Sequence, residues 1–353
     1  MATSGTVGGT TINTDVLIAH AIRRCGIPTG NITAEMSEIA TNNLYFYLTN
    51  LGNHGVNLWT IDRNLIGLTA YKRTLDLPTG TIDVLNATIR QLTRLSGGTG
   101  ATSAGGTAAN AFDTDLSTSC TQTSTNGNIS WDNGSAVTVT TIGIMTSGTL
   151  TLAPVFEYSS DGTTWSTLYT PTAGSFTDRV WAWYDISSPQ NAQYYRVRET
   201  GGATLALREF YLGHTPSELP MSRLNIDDWS ALPNKTSTGK PLQFWIDRQL
   251  NYPVMNVWPV PDTTFEFSQV VATRHRHIQD IGTLLNTIEV PQRWHNAIVC
   301  NLASLLALEL PGVPPDKIAM LDQMATRATK EAEDEERDNS PIYYVPGIAV
   351  YSR

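Results

Sequence analysis

Apolar positions recur with a helical period near the start of the chain. Ile18, Ile22 and Cys25 follow i, i+4, i+7 spacing, with Asp15 in the first turn and Gly26 where a C-cap belongs. Thr33 precedes a second helical pattern. In it Met36, Ile39, Asn43 and Phe46 form one stripe, Ala40, Leu44, Leu48 and Leu51 a broader one beside it, and Gly52 closes it. Residues 57–68, apolar at Leu58, Ile61, Leu65 and Leu68, predict a third helical segment. After Tyr71 the pattern is extended, through Leu77-Pro78 to a β-branched run over 82–89. Residues 96–107 are drawn only from Gly, Ser, Thr and Ala, the composition of a linker.

Beyond this stretch the period shortens. Apolar runs at 136–144, 150–158, 181–186, 193–198 and 205–212 alternate with turn signals such as Asp161-Gly162 and Gly201-Gly202. Several short strands at this spacing predict a β-sandwich. After Pro216, strands are predicted at 241–248, 254–260 and 264–273. A helix follows from Pro291 to about Leu310, and another from Pro315 to about Arg337 with the stripe Ile318, Leu321, Ala325, Ala328 and Ala332. The strands on either side of the sandwich are too few to stand alone. They are therefore read as one α+β domain, 1–98 and 214–338, a helical bundle with a small antiparallel β element. An all-β sandwich at 99–213 interrupts it, and 339–353 form an extended arm.

Charge narrows the function. The chain has 353 residues with 23 basic and 32 acidic side chains, a net of −9. This excludes a protein that grips nucleic acid through its phosphates, but not one that encloses DNA and lets it pass. More than half of the acidic excess lies in 99–213. Cys25, Cys120 and Cys300 are far apart and form no CxxC, so reduced thiols are expected. The longest apolar run, 297–310, is interrupted by Asn301 and Ser304 and falls short of the about 20 residues a membrane span needs, so no membrane partner is expected. The N-terminus has no apolar signal-peptide core. No P-loop, HExxH, EF-hand loop or nucleophile elbow is present, and no enzymatic activity is expected. Asp227-Asp228 before Trp229 reads as a turn or helix cap.

Several elements of the flanks occur in a specific order. They are Tyr71 with Leu77-Pro78, the run Trp258-Pro259-Val260-Pro261-Asp262, and Leu285-Asn286 with Val290-Pro291. Then Trp294-His295-Asn296-Ala297 opens a long helix. In this order they resemble the head-to-tail adaptor (connector) proteins of short-tailed bacteriophages. The resemblance implies a structural virion protein at the head–tail junction, assembled in the host cytoplasm. It implies a dodecameric ring below the portal protein that extends the DNA channel and receives the next tail component, a nozzle or tail tube. Double-stranded DNA would pass without sequence-specific contact. The acidic helix end with Glu331, Glu333, Asp334, Glu335 and Glu336 is then either a solvated terminus or a lining of the DNA channel that repels the duplex. Arg274-His275-Arg276-His277 is either a solvated strand end or a contact to DNA or an acidic partner. The arm, with Pro341, Ile342, Tyr343, Tyr344, Val345 and Tyr351, is expected to dock on the portal or a neighbouring subunit.

The insert carries a second ordered set. Ala111-Phe112-Asp113-Thr114-Asp115-Leu116-Ser117-Thr118, Tyr158-Ser159-Ser160-Asp161-Gly162 with Trp165, Tyr194-Tyr195-Arg196-Val197-Arg198, and Leu207-Arg208-Glu209-Phe210 with Gly213 follow one another. Together they resemble the discoidin, or coagulation-factor type C, domain, a galactose-binding-like jelly roll also used as a carbohydrate-binding module. The resemblance implies a calcium ion held by Asp113, Asp115, Thr118 and Glu209, with Thr114 where glycine is usual. Asp113 as a plain turn residue is the alternative. Trp181 and Trp183 share one strand face by two-residue spacing. They are either exposed for glycan contact or packed in a core. The expected functions are a connector ring with the sandwich projecting outward or, alternatively, a tail-associated protein that recognises a host surface glycan.

Overall fold

The structure is a computed structural model that describes residues 11–53, 58–250 and 252–336. Its helices are α1 (Thr14–Cys25), α2 (Ala34–Asn53), α3 (Ile226–Ala231), α4 (Gln292–Glu309) and α5 (Pro315–Glu335). The strands before the insert are β1 (Ile61–Gly67), β2 (Thr74–Asp76) and β3 (Thr81–Arg94). Within it run β4 (Thr99–Thr102), β5 (Cys120–Thr121), β6 (Asn128–Thr138), β7 (Thr141–Thr146), β8 (Leu150–Leu152), β9 (Pro154–Ser159), β10 (Ser166–Tyr169), β11 (Gly174–Phe176), β12 (Trp181–Asp185) and β13 (Asn191–Glu199). Then β14 (Ala206–Arg223) leaves the insert, and β15 (Gln243–Asp247), β16 (Val254–Trp258) and β17 (Gln269–Arg276) follow. The chain divides into a helical unit, 1–61 with 275–353, and a β unit, 62–274.

In the helical unit α4 packs on α1, α2 and α5. α1 buries Leu17, Ile18, Ala21, Ile22 and Cys25 and ends at Gly26, whose φ of 104° allows its N–H to reach the carbonyls of Arg23 and Ile22. The broad stripe of α2 supplies Ala40, Leu44, Leu48 and Leu51 to the same core. α5 opens on Pro315 and buries Leu321, Ala325, Ala328 and Ala332. Alanine at three of these positions keeps the side chains short between α5 and α4.

The β unit contains two layers joined by long strands. One sheet runs β1-β17-β3-β14-β15-β16-β2, and β7, with β12 beyond it, joins it through β14. A second sheet runs β10-β9-β13-β6-β4. Ile129, Phe156, Tyr195 and Val197 from the second sheet meet Ile142, Ile144, Phe210 and Leu212 from β7 and β14, forming the sandwich core. A separate platform core gathers Ile66, Leu68, Leu75, Val84, Ile89, Phe244, Met255, Val257 and Val270.

Two local expectations are overturned. Residues 61–67 form a strand rather than a third helix, because pairing with β17 outweighs the i, i+4, i+7 coincidence of Ile61, Leu65 and Leu68. Alternation then sends Ile66 and Leu68 into the platform core and Leu65 to the opposite face. The Gly/Ser/Thr/Ala stretch is not a loose linker. Residues 99–102 pair with β6, where Gly98 approaches the Asp132 carbonyl so closely that a Cβ would lie 2.2 Å from it.

The expected boundaries at 98/99 and 213/214 lie beside continuous pairing. β14 leaves the sandwich at Gly213 and continues as a platform strand, antiparallel to β3 from Gly213↔Arg94 to Met221↔Ala87, with an irregularity between His214 and Ser217. Two further features fasten sandwich to platform. Trp181 and Trp183 stack at 4.6 Å and pack with Met145, Tyr211, Leu65, Leu92 and Phe267. Beside them Asp185 of the sandwich and Glu218 of β14 share Arg63 and Arg90 at 2.5–2.7 Å. Burial would raise the Glu218 pKa, but the hydrogen bond and charge of Arg90, with Thr88 and Arg63, hold it below the usual range.

Candidate functional site

The loop before β5 brings the expected calcium ligands together only in part. Thr118 Oγ1 donates to Asp113 Oδ2 at 2.8 Å or Asp115 O at 3.0 Å, with Asn110 O at 3.5 Å. The other Asp113 oxygen accepts the Asp115 N–H, and Asp115 Oδ1 accepts from the Ser117 N–H and hydroxyl. Ser117 thereby lowers the Asp115 pKa. Glu209 is fully buried and its oxygens are occupied, one by Arg94 at 2.6 Å and the other by the Thr114 N–H. Burial pushes Glu209 up to about 7 against the pull of Arg94. Thr114 sits at φ 66°, the conformation that favours glycine. A calcium ion needs six to eight oxygens. Among the described residues no group of three or more His, Cys, Asp or Glu could hold a metal. The donor set therefore does not fit the implied ion: Arg94 stands as the cation opposite Glu209.

Trp181 and Trp183 are each 7% exposed. Both belong to the core between sandwich and platform, the packed alternative of the two, although Trp181 also borders an open cleft. Two-residue spacing did put them on one face. That face is covered by Leu65, Leu92 and Phe267, which the sequence gives no means of placing there.

An open surface lies next to them. A cleft of about 290 Å³ is lined by Thr172, Ser175, Phe176, Val180, Trp181 and Tyr184. Among the described residues β12 pairs only with β7, leaving one edge of main-chain donors and acceptors. Phe176 and Tyr184 are half-buried, their inner sides on the sandwich core. Burial pushes the Tyr184 hydroxyl up to about 12, so it stays protonated and able to donate. Thr172, Ser175 and Thr177 stand exposed around the rings, and no charged side chain lines the cleft. The sequence signal for it is faint: Tyr169, Phe176 and Tyr184 lie among Thr and Ser without a period.

The outer face of the second sheet is polar. Glu157, 5% exposed, accepts from Arg196 at 2.5 Å and Arg198 at 2.7 Å, and Arg196 lies 4.1 Å from the Trp165 ring centre. Burial opposes the Glu157 charge, yet Arg198 and Arg196 lower its pKa. These residues of the Ser-Asp-Gly-Trp hairpin and the Arg-Val-Arg strand form a closed ion-pair group rather than a free basic patch.

The remaining sequence candidates lie in the helical unit, on β17 and on α3. Glu336 pairs with Arg293 and accepts from the Trp294 indole at 3.4 Å. Glu331 pairs with Arg327 at 2.9 Å, while Glu333, Asp334 and Glu335 are exposed. Glu336 is thus a tether of α5 to α4. Arg274 is 7% exposed, forked onto Asp62 and bonded to the Pro78 and Thr79 carbonyls and the Thr81 hydroxyl. Arg276 pairs with Glu289. Arg274 and Arg276 are thus engaged within the chain, while His277 at the end of the run is exposed. Asp227 and Asp228 lie in the first turn of α3, whose cap Asn225 accepts the Asp228 N–H at 2.8 Å. Pro341, Ile342, Tyr343, Tyr344, Val345 and Tyr351 lie outside the described residues.

A second groove, of about 480 Å³, lies in the helical unit. Asn43, Phe46, Tyr47 and Asn50 of α2 border it together with residues of α4 and α5.

No family model matches the chain, and no curated protein matches it. Solved structures do. The chitosan-binding module 1 of a Paenibacillus sp. IK-5 chitosanase/glucanase is 24% identical, over 34% of this chain and 97% of that one, with a TM-score of 0.30. The family 32 carbohydrate-binding module of AlyQ, in complex with 4,5-unsaturated mannuronic acid, is 20% identical over 35% of this chain and 99% of that one, TM-score 0.32. The family 32 module of C. perfringens NanJ, in complex with galactose, is 14% identical over 35% and 99%, TM-score 0.30.

Proposed function

We propose that this protein is a non-catalytic binding protein whose β-sandwich recognises a neutral carbohydrate and whose remaining elements mount that sandwich on a larger assembly. The observation that carries the reading is the cleft between β11 and β12. Rings of Phe176 and Tyr184 offer apolar surface to the C–H face of a pyranose. Hydroxyls of Thr172, Ser175 and Thr177 and the open edge of β12 offer paired donors and acceptors to its hydroxyl groups. The absence of charge from the lining favours a neutral sugar over a uronic acid or phosphate. The discoidin-like sequence elements of the insert support the same reading. Its test is a glycan array probed with the full chain. Retention of neutral oligosaccharides is expected, and a chain that retains no glycan on a broad array would overturn the proposal.

A second reading concerns the assembly: the flanks build the connector ring that their sequence resembles, bound to a portal and a tail component around passing DNA. What favours it is the apolar surface of the helical unit, where Phe46 is 65%, Leu308 71% and Met320 50% exposed. Calcium has no place in either reading. Electron microscopy of the purified chain with portal-bearing heads tests it: rings at the portal vertex are expected, and a monomer that never joins heads would remove it.

A further inference from the structure

The turn from Thr177 to Val180 borders the cleft and carries a residue out of keeping with its backbone. The Val180 N–H donates to the Thr177 carbonyl at 3.3 Å, which places Asp178 and Arg179 at the two central positions of a β-turn. Arg179 has a φ of 59°, where glycine is usual at that position. Its surroundings hold the turn from two sides. Asp178 Oδ1 accepts from the Gly148 N–H at 2.8 Å and from Arg208 Nε at 3.3 Å. The Asp178 N–H donates to the Thr149 hydroxyl at 3.4 Å, and the Arg179 N–H to the Thr146 carbonyl at 3.4 Å. A left-handed arginine persists only where its surroundings over-determine it, and such residues concentrate at binding sites. Charge points the same way. The Gly148 N–H, Arg208 and Arg179 lower the Asp178 pKa, and Arg208 forms the ion pair with it. Arg179 is exposed, and among the described residues its guanidinium makes no hydrogen bond and no ion pair. It adjoins Val180 and stands two residues from Thr177, both of which line the cleft.

We propose that Arg179 reads an anion at the rim of the cleft, so that the preferred ligand is a neutral pyranose that bears or adjoins a carboxylate or sulfate. On the cleft reading, on which this rests, the neutral ring occupies the uncharged lining and the anion stays outside it. A guanidinium forks onto two oxygens of such a group. The chain as a whole works against anions, with a net charge of −9. A preference for an acidic sugar therefore has to come from a local cation. Arg208 already answers Asp178, which leaves Arg179 as the uncompensated charge of this turn. Because Arg179 is exposed, its attraction is screened by salt.

The test is an array that carries lactose, N-acetyllactosamine, cellobiose and chitobiose, each beside a monosulfated form and a uronic-acid form, probed with the full chain. For the sugar best retained, titration at about 50 mM salt is expected to show several-fold tighter binding of an anionic form than of the neutral one, and the sulfated and carboxylated arms identify the anion. The ratio is expected to shrink toward one at about 500 mM salt, a measurement that needs no variant. In Arg179→Gly, which the turn accepts without strain, the ratio is expected to fall to about one at low salt, while Arg179→Lys keeps part of it. A wild-type chain that retains neutral sugars with no preference for their anionic forms would overturn the proposal and leave the cleft reading standing. So would a preference that persists in Arg179→Gly or does not move with salt. Retention of no sugar on the array, neutral or anionic, would instead remove the cleft reading, and the role of Arg179 with it.

Discussion

Trp183→Ala tests whether sandwich and platform are one cooperative body. Trp183 is 7% exposed, stacks on Trp181 at 4.6 Å and meets Tyr211 edge-on at 5.2 Å. Deleting a buried Trp side chain typically costs about 3–5 kcal/mol. Two terms work in opposite directions here. Losing the two ring pairs adds about 0.5–1.5 kcal/mol each. The Trp183 indole N–H, however, is buried without a partner among the described residues, and removing it relieves about 1–3 kcal/mol. The sum stays near 3–5 kcal/mol for alanine. Trp183→Phe keeps most of the ring and drops the unpartnered N–H, so it should cost less than about 1.5 kcal/mol. The assay is urea unfolding followed by tryptophan fluorescence and by circular dichroism. The midpoint of the β unit should fall markedly for alanine and little for phenylalanine, with sandwich and platform still unfolding together. A wild-type midpoint for the alanine variant would refute the reasoning. So would a wild-type protein whose sandwich and platform melt separately, because the shared β3–β14 ladder would then carry no coupling.

Three further outcomes are expected. Gly143→Ala places a Cβ 2.3 Å from the Trp183 ring, so it should destabilise the β unit by about 1–3 kcal/mol, read as a lowered urea midpoint. Glu209 is raised to about 7 in the fold, so its protonation adds stability that is full below about 4.5 and is lost as pH rises through 7; melting temperatures between pH 5 and 7 should fall less steeply in Glu209→Gln than in wild type. Millimolar calcium or a chelator should leave the melting temperature unchanged, because Arg94 already meets Glu209.

Much of the fold was legible in the sequence, for reasons that differ by element. The amphipathic helices α1, α2, α4 and α5 announce themselves because a single stripe decides their burial. The sandwich strands are legible because Asp161-Gly162 and the alternation in 193–198 are local signals. What was not legible depends on distant partners. The 61–67 strand follows its pairing with β17, about two hundred residues later in the chain. Trp181 and Trp183 were correctly placed on one face, but what covers that face comes from β1, β3 and the segment before β17. Glu336 looked like part of a free acidic run until Arg293 met it. Arg274 looked like a basic patch because its partners, Asp62 and the 78–81 turn, stand far upstream. The cleft at β12 carried no motif, since hydroxyl residues and scattered rings are also what an ordinary loop contains.

The central claim is that the sandwich recognises a neutral carbohydrate at the cleft between β11 and β12. Its most direct test compares the full chain with Phe176→Ala in titrations with the neutral oligosaccharide best retained on the array. The account predicts at least tenfold weaker binding by the variant, measured below its unfolding transition, with the circular dichroism spectrum of the wild type retained. Equal affinity in the two proteins would contradict it.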